Sequence, residues 1–336
     1  MIGLCFSSLF MRAQDVHFSQ WFNQPGSFQP AGTGFFDGHY RIAVNYRYQW
    51  PFGNPQGPFT FHTQGFNLDF AFLRKPLKND WMGAALSFVN DRAGSGRLSS
   101  RFVALNLAYH KGFDKQKKYV LSLGVSGAYV NKAIDFNKLY FNNQWISGAG
   151  FEPGISNNEP IKTEQLHQLD LAAGMQISLR IREDKLLQLG ASAQHLNRPE
   201  NSFYESGYRL ERKYMAHGTF TWEGKNRIGM QLLFWYQYQA GAMSWIPGML
   251  FLLRPGGSAG PREHALYLGA LYRGFDALIP GFGYQYKGFR GMLTYDVTFS
   301  QLTNTGRSNG GLELSLSYRG FIREKTIRGS TACPRF

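Results

Sequence analysis

The sequence predicts an all-β fold, a transmembrane antiparallel β-barrel of about 14 strands in a bacterial outer membrane. From about residue 39 onward, large apolar side chains alternate with small or polar ones, which is the period of a strand. The alternating segments are about 10–14 residues long, as a tilted membrane-spanning strand requires. Many of the apolar stripes end in Tyr, Trp or Phe, which is typical of the aromatic girdles at a membrane interface.

The composition agrees with alternating strands. Of 336 residues, 39 are glycine, 16% are aromatic and only 17% are charged, compared with about 25% charged residues in typical soluble domains. The mean hydropathy is −0.32, so the chain is polar on average although it is rich in aromatic residues. No run approaches the roughly 18 apolar residues of a membrane-spanning helix. Within lipid, a closed barrel is the other structure that satisfies every backbone hydrogen bond.

The net charge of +14 does not indicate nucleic-acid binding, because that function needs a basic stripe on one element. The basic residues occur singly on strands or in small clusters at turns, such as Lys115, Lys117 and Lys118. The two cysteines, Cys5 and Cys333, predict neither a disulfide framework nor a cysteine metal site.

The amino terminus divides into two predicted segments. Residues 1–13 are expected to be a signal peptide in shortened form, because no basic region precedes the apolar run Ile2–Met11. The alternative interpretation of that run is a buried strand.

Residues 14–38 contain six aromatic side chains among Gly, Pro, Asn and Gln. They are Phe18, Trp21, Phe22, Phe28, Phe35 and Phe36. Six such side chains are costly to leave in water, so the segment is expected to pack in the barrel lumen or against its periplasmic mouth. The sequence therefore predicts a plugged barrel.

Residues 39–321 are assigned to the barrel, and residues 322–336 to a periplasmic tail. Strands are predicted to start near residues 39, 59, 80, 98, 117, 164, 185, 208, 226, 244, 264, 277, 289 and 310. An even number of strands places both ends of the barrel on one side, with short periplasmic turns and longer outer loops. Periodicity alone does not separate a barrel with a polar interior from a soluble sandwich with an apolar one. Strand length and the aromatic ends favour the barrel.

The longest predicted outer loop, Lys132–Thr163, contains four large aromatic residues: Tyr140, Phe141, Trp145 and Phe151. Since exposed aromatic groups of this size are costly, two interpretations remain. The loop folds over the barrel mouth, or it forms a surface that binds a partner.

The sequence predicts no enzyme, no cofactor and no metal site. A barrel hydrolase would need a serine and a histidine within hydrogen-bond reach, but Ser192 and His195 are assigned to opposite faces of one strand. The histidines lack the spacing of metal-binding pairs. The glycine-rich Pro255–Pro261 lacks the Lys and Ser/Thr of a phosphate loop.

Six motifs in chain order carry a resemblance to a known family. They are Gln14–Gln20, Phe28–Gly34, Tyr46–Trp50, His195–Pro199, Gly310–Leu316 and Cys333–Phe336. Together they resemble the PorP/SprF family of type IX secretion-system outer-membrane proteins over essentially the whole chain. Gln29 stands where that family usually has Asn.

The resemblance implies a barrel that retains, presents or anchors secreted cargo, typically adhesin-like surface proteins, through their C-terminal domains. It also implies support of gliding motility in organisms that glide. The expected partners are a cargo C-terminal domain, type IX secretion components in the periplasm or outer membrane, and the lipid bilayer. The alternative is an outer-membrane transport channel or porin for small solutes or apolar molecules. The polar inner faces of the strands support this alternative.

Overall fold

The computed structural model describes residues 17–49, 61–74, 76–94, 96–204, 207–224, 227–254, 264–299 and 310–322. The predicted signal peptide (1–13) and nearly all of the predicted tail (322–336) lie outside these residues. Within the described parts of the chain, no helix is long and apolar enough to cross a membrane.

The described residues form sixteen strands. Their bounds are β1 Tyr40–Gln49, β2 Phe61–Phe72, β3 Trp81–Ala93, β4 Leu98–Gly112, β5 Tyr119–Ala133, β6 Trp145–Ile146, β7 Gly150–Phe151, β8 Gln165–Arg182, β9 Lys185–Gln194, β10 Lys213–Trp222, β11 Ile228–Gln239, β12 Ala242–Leu253, β13 His264–Arg273, β14 Ala277–Tyr286, β15 Phe289–Thr298 and β16 Gly311–Gly320. Strands β6 and β7 form a separate hairpin inside the long loop.

The other fourteen of these strands pair antiparallel, each with its neighbour, and close into one barrel. Strand β1 pairs with β16, from Tyr40 opposite Gly320 to Gln49 opposite Gly311. The prediction of about fourteen strands is therefore confirmed. The largest shift in a strand start is at β10, which begins at Lys213 instead of near residue 208.

The two ends of the barrel differ in their connections. Short connections such as residues 183–184 and 287–288 lie at the end where β1 begins, which we call the turn end. The long connections 134–164 and 195–212 lie at the opposite end, which we call the loop end. In outer-membrane barrels the short turns face the periplasm and the long loops face outward.

The large apolar side chains of the alternating pattern point out of the barrel. Leu105 and Leu169 are 67% and 69% exposed, whereas the next inward neighbours, Asn106 and Asp170, are buried. This sense of alternation is that of a membrane barrel and opposite to that of a soluble sandwich. It confirms the assignment of the apolar face to the lipid.

The inward face is not uniformly polar, which differs from the expectation of a wet interior. Inward residues of β15, β16, β1–β5, β8 and β9 are mainly small or polar, and we call this surface the polar wall. Apolar inward residues gather on β11–β14 and include Trp235, Ile246, Leu250, Leu271 and Ile279, all at most 2% exposed. We call this surface the apolar wall.

Candidate functional site

The segment His17–Gly38 lies inside the barrel, and we call it the plug. It starts in the loop-end half, where Arg47 donates to the His17 carbonyl oxygen at 2.8 Å, and it enters β1 at the turn end. Three short 3-10 turns shape it: Trp21–Asn23, Pro25–Ser27 and Pro30–Gly32. Two of these turns begin with proline, whose fixed φ suits a first helical position. Ser19, Gln20 and Thr33 are completely buried.

Two carboxylates anchor the start of the plug. The backbone N–H groups of Ser19 and Gln20 donate to the two oxygens of Glu313 at 2.8 and 2.9 Å. The Ser19 hydroxyl donates to Asp296 at 3.2 Å. Buried backbone N–H groups are costly to leave without an acceptor, so the anchor fixes this end of the plug.

The Asp296 carboxylate is itself paired with two arginines. Arg47 and Arg273 contact Asp296 Oδ2 at 2.8 and 2.6 Å, and all three side chains are nearly buried. Arg273 also donates to the Ser19 hydroxyl at 2.6 Å. A buried carboxylate between two guanidinium groups keeps its charge, because removal from water is offset by the opposite charges.

The middle of the plug lies against glycines of the polar wall. A Cβ on Gly83 would lie 2.1 Å from the Thr33 carbonyl oxygen, and one on Gly124 would lie 2.4 Å from the Ala31 nitrogen. Both distances are far inside van der Waals contact, so any side chain would displace the plug backbone. Glycine here allows two backbones to approach closely.

Near the turn end, polar side chains hold the plug where it leaves the lumen. The Gly34 N–H donates to Asp69 at 2.8 Å, and the Trp81 indole donates to the Gly34 carbonyl at 3.0 Å. The φ of Gly34 is 75°, which favours glycine at this position. His110 contacts the Thr33 carbonyl at 2.7 Å.

Basic side chains surround this exit. Arg74 donates to the Phe36 carbonyl at 2.9 Å, and the Lys117 ammonium lies 4.6 Å from the centre of the Trp81 ring. Burial, together with repulsion from Arg74, lowers the pKa of Lys117. The exit therefore presents a partly desolvated basic group at the turn end.

The six aromatic residues of the predicted plug all lie in this segment. Phe18 and Trp21 are buried, and Phe22, Phe28, Phe35 and Phe36 are partly buried. Trp21 packs edge-on to Phe22 and Phe28, with ring centres 5.8 and 5.6 Å apart, and this group contacts the apolar wall. Phe35 packs on Trp81 at 5.7 Å, and the Arg41 guanidinium lies 4.7 Å from the Phe36 ring.

A cavity of about 1110 Å³ lies between the plug and the outer loops, and we call it the outer vestibule. Plug residues form its floor, and the loop-end parts of β3–β5 and β8–β11 form its sides. The loop residues Arg198, Asn201, Phe203 and Leu210 also line it. The sequence did not predict this cavity, because its floor and sides come from segments far apart in the chain.

The four predicted partner residues lie together in the long loop. Tyr140, Trp145 and Phe151 are 64%, 56% and 45% exposed, and Phe141 is partly buried. The Phe151 ring lies 5.1 Å from Tyr140 and 4.8 Å from Trp145. We call Tyr140, Trp145 and Phe151 the aromatic cluster.

A buried glutamine orders this loop. Gln144 accepts from the Phe141 N–H at 3.1 Å and donates to the Ile155 carbonyl at 2.8 Å. Its own carbonyl accepts from the Glu152 N–H at 2.9 Å. The β6–β7 hairpin therefore presents the aromatic cluster on an ordered loop.

Ser192 and His195 do not lie on opposite faces, and that assignment was wrong. β9 ends at Gln194, and His195 has a φ of 57°, which turns its side chain back into the lumen. There His195 Nδ1 lies 2.9 Å from Asp170, while the Ser192 hydroxyl donates to the plug carbonyl of Phe28 at 2.8 Å. Among the described residues, no group of three or more His, Cys, Asp or Glu side chains could hold a metal ion.

Comparison of the sequence with known families matches the type IX secretion system membrane protein family PorP/SprF over residues 10–318. This chain belongs to the PorP/SprF family. Together with the barrel fold, membership places the protein in the bacterial outer membrane, as a membrane protein of the type IX secretion system. No curated protein matches the sequence.

Solved structures share the fold of this PorP/SprF barrel at low sequence identity. The CymD monoaromatic hydrocarbon channel superposes with a TM-score of 0.53 at 8% identity, covering 90% of this chain and 93% of that one. The toluene transporter TbuX of Ralstonia pickettii gives a TM-score of 0.51 at 10% identity, covering 88% and 93%. At such identities the likeness concerns the fold alone.

The motifs of the PorP/SprF resemblance supply contacts to the plug. Arg47, in Tyr46–Trp50, and Glu313, in Gly310–Leu316, belong to the anchor. Gln29, which replaces the usual Asn, donates to the Met175 and Ala191 carbonyls at 3.0 and 3.2 Å. Its oxygen also accepts from the Ala31 N–H at 3.4 Å, so the longer side chain still caps the next turn.

The motif His195–Pro199 covers an open strand edge. β9 pairs with β8 only from Ala173 onward, so residues 165–172 of β8 lack a strand neighbour on that side. Asn197 bonds to this edge, donating to the Leu169 carbonyl at 2.6 Å and accepting from the Leu171 N–H at 3.1 Å. Covering an edge in this way prevents unwanted strand pairing.

Proposed function

We propose that this protein is a non-enzymatic barrel that retains, presents or anchors secreted cargo at the cell surface. The cargo consists of adhesin-like surface proteins, bound through their C-terminal domains, and the barrel supports gliding motility in organisms that glide. One observation carries the proposal: the chain's own plug lies across the lumen, while an ordered aromatic cluster stands exposed at the loop end.

The aromatic cluster has the properties of a protein-binding surface. Large aromatic side chains dominate the binding energy of protein interfaces, because they bury much area at a small cost in side-chain entropy. Ile146 and Ile155, 42% and 37% exposed, extend the apolar area beside the cluster. An ordered loop loses little entropy on binding, which favours a stable complex.

The plug argues against a wide pore. Its contacts extend around the barrel, from Asp296 and Glu313 on β15 and β16 to Asp69 on β2 and Ser192 on β9. Many of these bonds join backbone to buried side chains, and such bonds are costly to leave unmade. A barrel closed in this way is suited to holding a partner.

Deletion of the gene in its native host tests the proposal. We expect one or a few surface proteins to be lost from the cell surface, measured by mass spectrometry of surface-labelled proteins against the parent strain. Re-expression of the unaltered chain should restore them. An unchanged set of surface proteins after deletion would contradict the proposal.

Substitutions in the long loop test the binding surface. Trp145→Ala and Phe151→Ala should reduce the amount of cargo that co-purifies with the barrel, because they remove exposed aromatic area. Phe275→Ala is the matched control, since Phe275 is 79% exposed in another outer loop. Equal loss in all three variants would contradict a specific role of the aromatic cluster.

A second candidate function is transport of apolar molecules. Two observations favour it: the fold shared with the hydrocarbon channel CymD, and the apolar wall inside this barrel. Conductance in planar bilayers and uptake of an aromatic hydrocarbon into vesicles separate the two candidates. A plugged anchor shows little conductance and no uptake above empty vesicles, whereas saturable uptake would favour the channel.

A further inference from the structure

We propose that the outer vestibule receives an extended polypeptide segment of the secreted protein, with an apolar side chain seated on its floor. The inference rests on the proposed function and adds a second contact site, separate from the aromatic cluster.

The floor of the vestibule is apolar and aromatic. Phe18, Trp21 and Phe28 of the plug line it together with Met215 and Trp235 of the barrel. The His17 and Trp235 rings lie 5.1 Å apart and close the floor between plug and wall. An apolar side chain binds favourably to such a surface, because both are removed from contact with water.

The sides of the vestibule carry carboxamides: Gln168, Gln194, Gln237 and Asn201. A carboxamide both donates and accepts hydrogen bonds, as each peptide unit does. In this barrel they already bind peptide carbonyls, since Gln194 donates to the Ser27 carbonyl at 3.1 Å and Gln168 to that of Glu200 at 2.6 Å. The sides therefore match the backbone of an extended chain.

Several donors at the floor have no hydrogen-bond partner within the described residues. They include the indole N–H groups of Trp21 and Trp235 and the hydroxyl of Ser27, and the two tryptophans are 4% and 2% exposed. Buried donors are usually paired. The carbonyl groups of a seated peptide supply acceptors that a hydrocarbon lacks.

Size and charge also favour a peptide over a small apolar molecule. The volume of about 1110 Å³ lies above the range of about 300–1000 Å³ for small-molecule pockets. The sides carry charges of both signs, including Lys132, Lys213, Asp91 and Asp170. A hydrocarbon offers such polar sides no hydrogen-bonding group, whereas each peptide unit of a polypeptide both donates and accepts.

Neighbouring residues of β4 give a matched pair for site-specific photocrosslinking. Ser100 lines the vestibule, whereas Ser99 belongs to the opposite, outward face, because side chains alternate along a strand. A benzophenone amino acid at Ser100, in the full chain in its native host, should form an adduct with the secreted protein whose surface display needs this gene. The same group at Ser99 should not.

The outcomes separate this inference from the proposed function. Adducts from position 145 in the aromatic loop but none from position 100 would overturn the vestibule site and leave the proposed function standing. Adducts from position 100 only within the chain itself, or equal adducts from positions 99 and 100, would also overturn it. Failure of the proposed function would instead show as unchanged surface proteins after gene deletion.

Filling the vestibule tests the same site without a crosslinker. Ser100→Trp places a large ring in the cavity and should reduce co-purified cargo by about tenfold or more, equivalent to about 1.4 kcal/mol of binding free energy. Ser99→Trp places the same ring on the outward face and should leave cargo binding unchanged. Folding of both variants is checked by the heat-dependent shift of the barrel in gel electrophoresis. Cargo retention by folded Ser100→Trp at the level of the unaltered chain would overturn the proposal.

Discussion

The polar wall and the apolar wall hold the same plug by different physical means. On the polar side, directional hydrogen bonds fix individual plug atoms, as when Glu313 receives two backbone N–H groups. On the apolar side, Ile246 and Leu250 belong to one hydrophobic cluster with the plug residue Trp21, and such packing depends on shape and buried area alone. The polar wall therefore determines where the plug sits, while the apolar wall adds stability without specifying position.

The difference also explains where the barrel places its charges. Burying a charge is costly unless it is paired, and the anchor charges of Asp296, Arg47 and Arg273 are paired with one another. The apolar wall avoids that cost but gives up directionality.

Removing the anchor carboxylate should have the largest effect. Asp296→Ala leaves Arg47 buried without its carboxylate partner and Arg273 with Asp276 alone, which should lower the free energy of unfolding by about 3–5 kcal/mol. Denaturant unfolding in lipid vesicles measures the loss, and hydrogen exchange of the Ser19 amide should accelerate. Glu183→Ala, at an exposed turn, is the control. Unchanged exchange at Ser19 would show that the anchor does not position the plug.

Adding a side chain at Gly124, where the barrel wall contacts the plug backbone, should displace the middle of the plug. In Gly124→Val the new Cβ meets the plug backbone at 2.4 Å, which should cost about 1–3 kcal/mol and raise the conductance of the barrel. Gly127→Val lies on the same strand, where a Cβ meets only Leu171 at 3.9 Å, and should change neither quantity. Equal conductance of the two variants would contradict the close plug contact.

Shortening one side chain of the apolar wall should lower the stability of the barrel without moving the plug. Ile246→Val removes one fully buried methylene and should cost about 0.5–1.5 kcal/mol, with no change in exchange at the Ser19 amide. Ile177→Val on the lipid face, 42% exposed, should cost less. Faster exchange at Ser19 in Ile246→Val would remove the distinction between the two walls.

The smallest effect is expected outside the lumen, at the Asp80 turn. Asp80 contacts the Tyr109 hydroxyl and Lys111 and accepts from the Gly112 N–H at 3.0 Å. The hydrogen bond from Tyr109, followed by the contact with Lys111, holds the pKa of Asp80 below its ordinary value of 3.8. Since the native pKa is depressed, its stabilising contribution is present above pH 3.8 and is lost as the pH falls through the native pKa.

Hydrogen exchange of the Gly112 amide should therefore increase only in strong acid. Asp80→Asn should abolish this pH dependence while leaving exchange at Ser19 unchanged. A large effect of the substitution at Ser19 would mean that the turn, and not only the lumen, positions the plug.

Much of the barrel follows from local pattern. Alternation in segments such as Val103–Tyr109 depends only on side-chain polarity and strand geometry, so it predicted the strands, their number and the outward face. The aromatic content of residues 14–38 likewise indicated a segment that needs burial. Such features can be predicted from the sequence because each depends on residues that are neighbours in the chain.

The apolar wall was missed for a physical reason. In β11 the inward Leu233 and Trp235 alternate with outward Leu232 and Phe234, so both faces are apolar and periodicity loses its contrast. The position of His195 was missed because a positive φ at a non-glycine residue has no simple sequence signal.

By itself the sequence determined that the chain is a barrel with an apolar exterior and an aromatic segment ahead of β1, because strand period and composition are local properties. Only the tertiary structure decided how that segment sits. Ser19 and Glu313, its anchor, are 294 positions apart in the chain, and closure of β1 onto β16 brings them together. The plug contacts and the outer vestibule depend on such pairings, which no local pattern contains.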